Sequence, residues 1–315
     1  MKCLACYAPL PEGSPLAYHP ACSKRFYGAY PPPELSYTYA ELEGLAHDMV
    51  RAGIAAPGVQ HKLSLDIDKT TARLTVLGAI GGHYILKPST PTYPFLAENE
   101  DLTMHLAEIF GVETAQHTLA TLSDGTLVYL TRRFDRTRSG AKVHQEDFCQ
   151  LAEKLTENKY DGSLELIGRL IKRHVPHTHY RIAASRFWHL CVVCYLTGNA
   201  DMHLKNFSLR YPRPSEVELA PAYDLVNTAL ALPNDNEEVA LSLEGKKSKL
   251  DRAHFLGLGN YLALDPQQLQ GILHRLSNRL PKAIACVAES FLPQQQQLQY
   301  VQILQQRAER LDLLV

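Results

Sequence analysis

The chain has no apolar run long enough to cross a bilayer. The longest, Leu190–Leu196, falls far short of the roughly 20 residues required. It also lacks an excess of charge of either sign. Its 32 Lys and Arg against 33 Asp and Glu leave a net charge of -1, which excludes polyanion binding held by bulk charge but not a local basic patch. The N-terminus, MKCLACYAPLPEG, has no continuous apolar core followed by a small-residue cleavage site, so no secretion signal is expected. Cysteine is too scattered for a disulfide framework: there are 7, an odd number, spread over 315 residues. That usage, with no leader or anchor, leads to an expected cytoplasmic location. With 45% hydrophobic and 21% charged residues the chain is neither disordered nor fibrous in composition, and it shows no internal repeat.

What is present divides into three stretches. Residues 1–33 hold Cys3, Cys6, His19 and Cys22 and close on Pro31-Pro32-Pro33. The spacing C-x2-C-x12-H-x2-C supplies the four soft or borderline ligands of a tetrahedral structural zinc, and the alternative is a partly buried, redox-idle Cys cluster. Residues 34–135 read as β-rich. Leu63–Ile67 and Ala72–Gly78 alternate, Gly78, Gly81 and Gly82 punctuate, and His83–Lys87 and Leu127–Asp135 are further strands, with one helix over Leu96–Phe110 stopped by Gly111. Residues 136–315 read as helical, at Glu146–Leu155, Leu164–Arg173, Tyr180–Leu196, Asp265–Leu276 and Gln294–Leu314. The expected class is α+β, a small β-rich lobe followed by a larger helical one.

Chemistry concentrates in the irregular segment 198–250. Gly198-Asn199-Ala200-Asp201-Met202-His203-Leu204-Lys205-Asn206-Phe207-Ser208-Leu209 places Asp, His, Lys and Asn on one short turn at a helix exit, which is costly unless a ligand uses them. Asp201 and Asn206 are five apart, the interval between catalytic Asp and metal-binding Asn in a kinase catalytic loop. Asp224 follows in Pro221-Ala222-Tyr223-Asp224-Leu225, after the short strand candidate Val217–Leu219. With Asn206 it would offer the hard oxygen ligands that magnesium needs beside ATP phosphates. Upstream, Gly58-Val59-Gln60-His61-Lys62 is a candidate phosphate loop. Lys87 ends a strand as a phosphate-binding lysine would, and Glu98 or Glu100 could pair with it. Each element alone is unspecific; the ordered set is strong.

These segments, with Ile85-Leu86-Lys87-Pro88, Leu96-Ala97-Glu98-Asn99-Glu100, Arg133-Phe134-Asp135-Arg136 and His144-Gln145-Glu146-Asp147-Phe148, resemble the HipA-like toxin serine/threonine kinases in the same order, over about residues 54 to 230. The resemblance implies a two-lobed kinase that phosphorylates a protein hydroxyl with ATP and Mg2+, so inhibiting translation and growth. Family precedent for the target is an aminoacyl-tRNA synthetase. It casts Asp201 as the catalytic Asp and Asn206 and Asp224 as metal ligands. Gly58 to Lys62 become the phosphate loop and Lys87, paired with Glu100, the phosphate lysine. Arg132, Arg133 and Phe134 become the segment meeting adenine, with His203, Lys205 and Tyr223 lining the same pocket. It also implies cognate antitoxins: a DNA-binding one and, since the chain resembles the short HipT-like members, a separate small protein in place of an N-terminal subdomain. Neither membrane association nor direct nucleic-acid binding is expected. Where relatives often carry a regulatory serine before the loop glycine, this chain has Ala55-Ala56-Pro57.

Other readings stand beside these. Asp201 could be a structural carboxylate paired with Lys205, and Asp224 could cap a helix at Leu225. His174, His177 and His179 read as a Pro-broken solvated loop, Cys191 and Cys194 as small core residues, and Lys246, Lys247 and Lys249 as a solvated face. A phosphoinositide or small-molecule kinase and a catalytically silent nucleotide-binding partner are the competing functional classes.

Overall fold

The computed structural model describes residues 1–51, 61–78, 81–137, 139–213 and 216–314. The chain gathers into two compact units. One comprises Met1–Asp101, Ala115–Ala141 and Glu289–Leu292, the other Leu102–Thr114, Lys142–Ala288 and Pro293–Val315.

The first unit contains α1 (Pro20–Tyr27), α2 (Tyr39–Arg51), β1 (Leu63–Asp68), β2 (Arg73–Gly78), β3 (Tyr84–Pro88), the start of α3 (Leu96–Phe110), β4 (His117–Thr121) and β5 (Leu127–Arg132). The strands form one antiparallel sheet in the order β2-β1-β3-β5-β4. Gly82 shows why the β3 entry needs glycine. Its φ is +64°, and a Cβ there would lie 2.1 Å from the Leu65 carbonyl oxygen. The β3–β5 register places Lys87 opposite Tyr129, with Leu86 opposite Leu130 in the core. The expected strands at 63–67, 72–78, 83–87 and 127–135 are therefore present, within a residue or two except at the last one's C-terminal end. The fifth, β4, went unread, because His117-Thr118-Leu119-Ala120 is buried without alternating.

The second unit contains β6 (His144–Asp147), α4 (Phe148–Leu151), α5 (Leu164–His174), α6 (His177–Leu196), β7 (Ser208–Arg213), β8 (Glu216–Leu219), α7 (Thr228–Ala231), α8 (Arg252–Tyr261), α9 (Pro266–Ala288) and α10 (Gln294–Arg310). α6 is its centre. From Phe187 to Leu196 every residue but His189 is buried, so the helix has no polar face over its last turns. Its aromatics keep their polar atoms satisfied: Trp188 Nε1 donates to the Phe255 carbonyl at 2.6 Å and Tyr195 Oη to that of Leu250 at 2.8 Å. Cys191 and Cys194 sit in this core.

Two local expectations are corrected. Glu146–Leu155 is not one helix. Residues 144–147 pair with β7 as a strand, and Asp147 then starts α4 with a reciprocal cap to Gln150. His174, His177 and His179 are not in a loop: His174 ends α5, Pro176 is the N-cap of α6, and the other two histidines lie in its first turn.

Candidate active site

In the second unit the loop after α6 is set by its helix exit. Gly198 has φ +71° and its N–H bonds the Tyr195 carbonyl, while Asn199 N–H bonds that of Cys194, which turns the chain out of the helix. A Cβ on Gly198 would meet Asn227 Oδ1 at 2.8 Å. Side chains then fix the loop. Thr228 Oγ1 accepts from Ala200 N–H, and Asn199 Oδ1 accepts from Asp201 N–H at 3.0 Å. Asn206 Nδ2 donates to the Asp201 carbonyl at 2.9 Å, so the five-residue interval closes into a ring that does not use the Asn206 amide oxygen.

The 18 residues between Asn206 and Asp224 are spanned by the β7–β8 hairpin. Leu209 pairs with Leu219, and Ala220 N–H bonds the Ser208 carbonyl, which brings the two ends together. Tyr223 Oη donates to the Lys205 carbonyl at 2.8 Å. His203, buried between, registers both ends. Burial pulls its pKa below the ordinary imidazole value, and the charges of Asp201 and Asp224 act against that. Asp224 has φ +61°, a left-handed conformation that costs a non-glycine residue of order 1 kcal/mol and clusters at functional sites. No helix starts at Leu225: the next, α7, is capped by Asn227. Asp201 does not pair with Lys205 either. The Lys205 ammonium lies 3.1 Å from Asp147, and Asp201 Oδ1 accepts from Tyr160 Oη at 2.7 Å.

In the first unit Lys87 Nζ lies 2.5 Å from Glu100 Oε1, with side-chain exposures of 4% and 3%. The same ammonium sits 5.4 Å from the centre of the Tyr129 ring. Glu98, the other acid considered, is buried one helical step away, and burial raises its pKa. Arg133 is held by its neighbours, its guanidinium on Asp135 at 2.7 Å and on the Gly81 carbonyl at 3.0 Å. Arg132 N–H bonds the Gln116 carbonyl, and Phe134 is half-buried beside them. Of the candidate phosphate loop, Gly58, Val59 and Gln60 lie outside the described residues, as do Ala55, Ala56 and Pro57. His61 packs edge-on against His47 at 5.5 Å, and Lys62 is exposed.

A family model described as the HipA-like C-terminal domain matches residues 54–284. The chain belongs to this family. The match extends beyond the residues 54 to 230 from which the resemblance was read, through α8 and into α9. A Haemophilus influenzae protein named "Putative kinase" is 30% identical over 241 residues, 68% of this chain and 69% of that protein. The serine/threonine-protein kinase toxin HipA of Shewanella oneidensis is 25% identical over 256 residues, 74% of this chain and 57% of the toxin. A solved complex of Shewanella oneidensis HipA, HipB and operator DNA matches 98% of this chain and 75% of that one, with TM-score 0.70 at 22% identity. The fold is kinase-like, in the α+β class expected, and no described helix is long and apolar enough to cross a membrane.

Sequence reasoning missed several residues of this HipA-like chain. Tyr160, 42% exposed, contacts the carboxylate of Asp201 and packs edge-on against His203 at 5.0 Å. Asp147 anchors Lys205. In the first unit, buried Asp101 accepts from Tyr7 Oη and bonds His117 Nδ1, both at 2.7 Å. None has a local signal, since each partner lies at least 16 residues away. The four N-terminal candidates do meet: one ligand atom each from Cys3, Cys6, His19 and Cys22 lies within 4.8 Å of all the others.

Proposed function

We propose that this chain is an ATP-dependent serine/threonine protein kinase and the toxin of a toxin–antitoxin pair. The observation that carries the reading is the loop in which Asn206 is bonded to the Asp201 backbone and Asp224 is folded back beside it. A carboxylate and an amide oxygen suit Mg2+, so Asn206 and Asp224 would hold it. When bound, the ion neutralises charge on the transferring phosphoryl group. Asp201 orients the acceptor hydroxyl and takes its proton. Lys87, held in place by Glu100, neutralises the nucleotide phosphates, and the resemblance assigns Gly58 to Lys62 to the same phosphates. His203, Lys205 and Tyr223 act by fixing the loop. Arg132 to Phe134 supply backbone to adenine.

Support for an antitoxin partner comes from the HipA–HipB–DNA complex. The acceptor, on family precedent an aminoacyl-tRNA synthetase, follows from resemblance alone. The test is phosphoproteomics on cells expressing the chain or Asp201→Asn. A phosphosite that appears only with the unaltered chain, while Asp201→Asn still binds nucleotide, is the expected result. Equal labelling by both would overturn the proposal.

A further inference from the structure

We propose that Cys3, Cys6, His19 and Cys22 form a structural zinc site that holds the N-terminal segment onto the edge of the five-stranded sheet. A zinc with Zn–S near 2.3 Å and Zn–N near 2.0 Å puts neighbouring ligand atoms about 3.5 to 3.8 Å apart. The present cluster, within 4.8 Å throughout, needs only a small contraction, and Cys6 Sγ already lies 3.4 Å from His19 Nδ1. The second observation concerns the histidine tautomer. His19 Nε2 lies 3.0 Å from the Pro9 carbonyl. Only an N–H can satisfy a carbonyl, so Nε2 carries the proton and Nδ1 presents its lone pair to the three sulfurs. That second-shell arrangement is the one by which ligating histidines are fixed.

The sulfurs are equally prepared. Cys3 Sγ accepts from His19 N–H at 3.4 Å. A cation among three sulfurs this close would hold them as thiolates and offset their mutual repulsion. All three thiols are free, with no disulfide between them.

The four ligands come from two pieces of chain. Cys3 and Cys6 belong to a tight hairpin in which Tyr7 N–H bonds the Cys3 carbonyl, and His19 and Cys22 to the start of α1. Linking them fixes Leu4, whose carbonyl accepts from Leu119 N–H and Thr118 Oγ1 on the edge strand β4. It also fixes Tyr7, which reaches Asp101. The ion would therefore cover a sheet edge that otherwise exposes backbone groups.

The test uses the full chain, purified reduced and without chelator. Expected are about one zinc per chain by mass spectrometry, none in a Cys6→Ser, Cys22→Ser double variant, and full occupancy in His19→Cys, where a fourth thiolate replaces the imidazole. Should the double variant not fold, Co2+ added to the zinc-stripped wild type gives thiolate-to-cobalt charge transfer and intense tetrahedral bands. Metal removal should also speed amide exchange in residues 1–27. A reduced wild type that carries no zinc and binds Co2+ only as a pale octahedral ion would overturn the proposal, as would a native disulfide within the set. None of these readouts depends on phosphoryl transfer.

Discussion

Removing either partner breaks the buried Lys87–Glu100 pair, and such losses cost about 3–5 kcal/mol. The surroundings make the two losses unequal. Without Lys87, Glu100 shares one helical turn with Glu98 and Asp101, both buried, so Lys87→Met belongs at the upper end of that range. Without Glu100, the ammonium keeps the face of Tyr129, and in Glu100→Gln it keeps an amide oxygen as well, so the cost falls toward about 2 kcal/mol. The double variant Lys87→Met, Glu100→Leu replaces the pair with apolar groups of similar volume and should recover to within about 1.5 kcal/mol of wild type. Urea titrations of all four proteins rank these three costs against wild type. All three variants should be inactive in phosphoryl transfer, including the double variant whose stability returns. A Lys87→Met protein within about 1 kcal/mol of wild type at pH 7.5 would refute the reasoning, because breaking a buried pair is expected to cost about 3–5 kcal/mol.

Two further outcomes follow from the second unit. Burial, with Arg275 nearby and a backbone hydrogen bond to Phe110 opposing, lowers the pKa of His189 to about 4. The unfolded chain, with an imidazole near 6.5, therefore binds the proton first; this stability is intact above about pH 6.5, and roughly 2 kcal/mol of it is lost by pH 5. His189→Gln should flatten the fall in urea midpoint between pH 7 and 5, and an unchanged fall would refute the assignment. Tyr160→Phe removes the hydroxyl bonded to Asp201 and should lower kcat about tenfold while nucleotide KM is unchanged. A kcat at or above wild type would mean that Tyr160 does not position that carboxylate.

The fold was legible where sequence and burial share a period. β1, β2 and β3 alternate or sit between glycines, and α5 repeats Leu164, Ile167, Leu170 and Ile171 on one face behind a Ser163 cap. It was illegible where pairing alone makes the element. His144-Gln145-Glu146-Asp147 has no β-branched residue, and it becomes a strand because β7 offers it a ladder, with Gln145 on Ser208 and Tyr211 on Glu146. The compact units likewise do not follow chain order, since Leu102–Thr114 goes with the second and no composition change marks Leu102.

The candidate site divides along the same line. The Asp201 to Asn206 ring is local, so its spacing could be read directly. The step to Asp224 could be read only because 18 residues is about the length of a short hairpin with its two flanks, and β7 and β8 are that hairpin. Tyr160 and Asp147 reach the loop from 41 and 58 residues away, across folds of chain that no periodicity encodes. The polar side chains at the helix exit are thus anchored from outside the motif. Tyr160 holds the Asp201 carboxylate and Asp147 the Lys205 ammonium, so the density of Asp, His, Lys and Asn that marked the segment is sustained by partners the segment does not contain. A substitution at Tyr160 would disturb the loop while leaving every residue of the recognisable motifs in place.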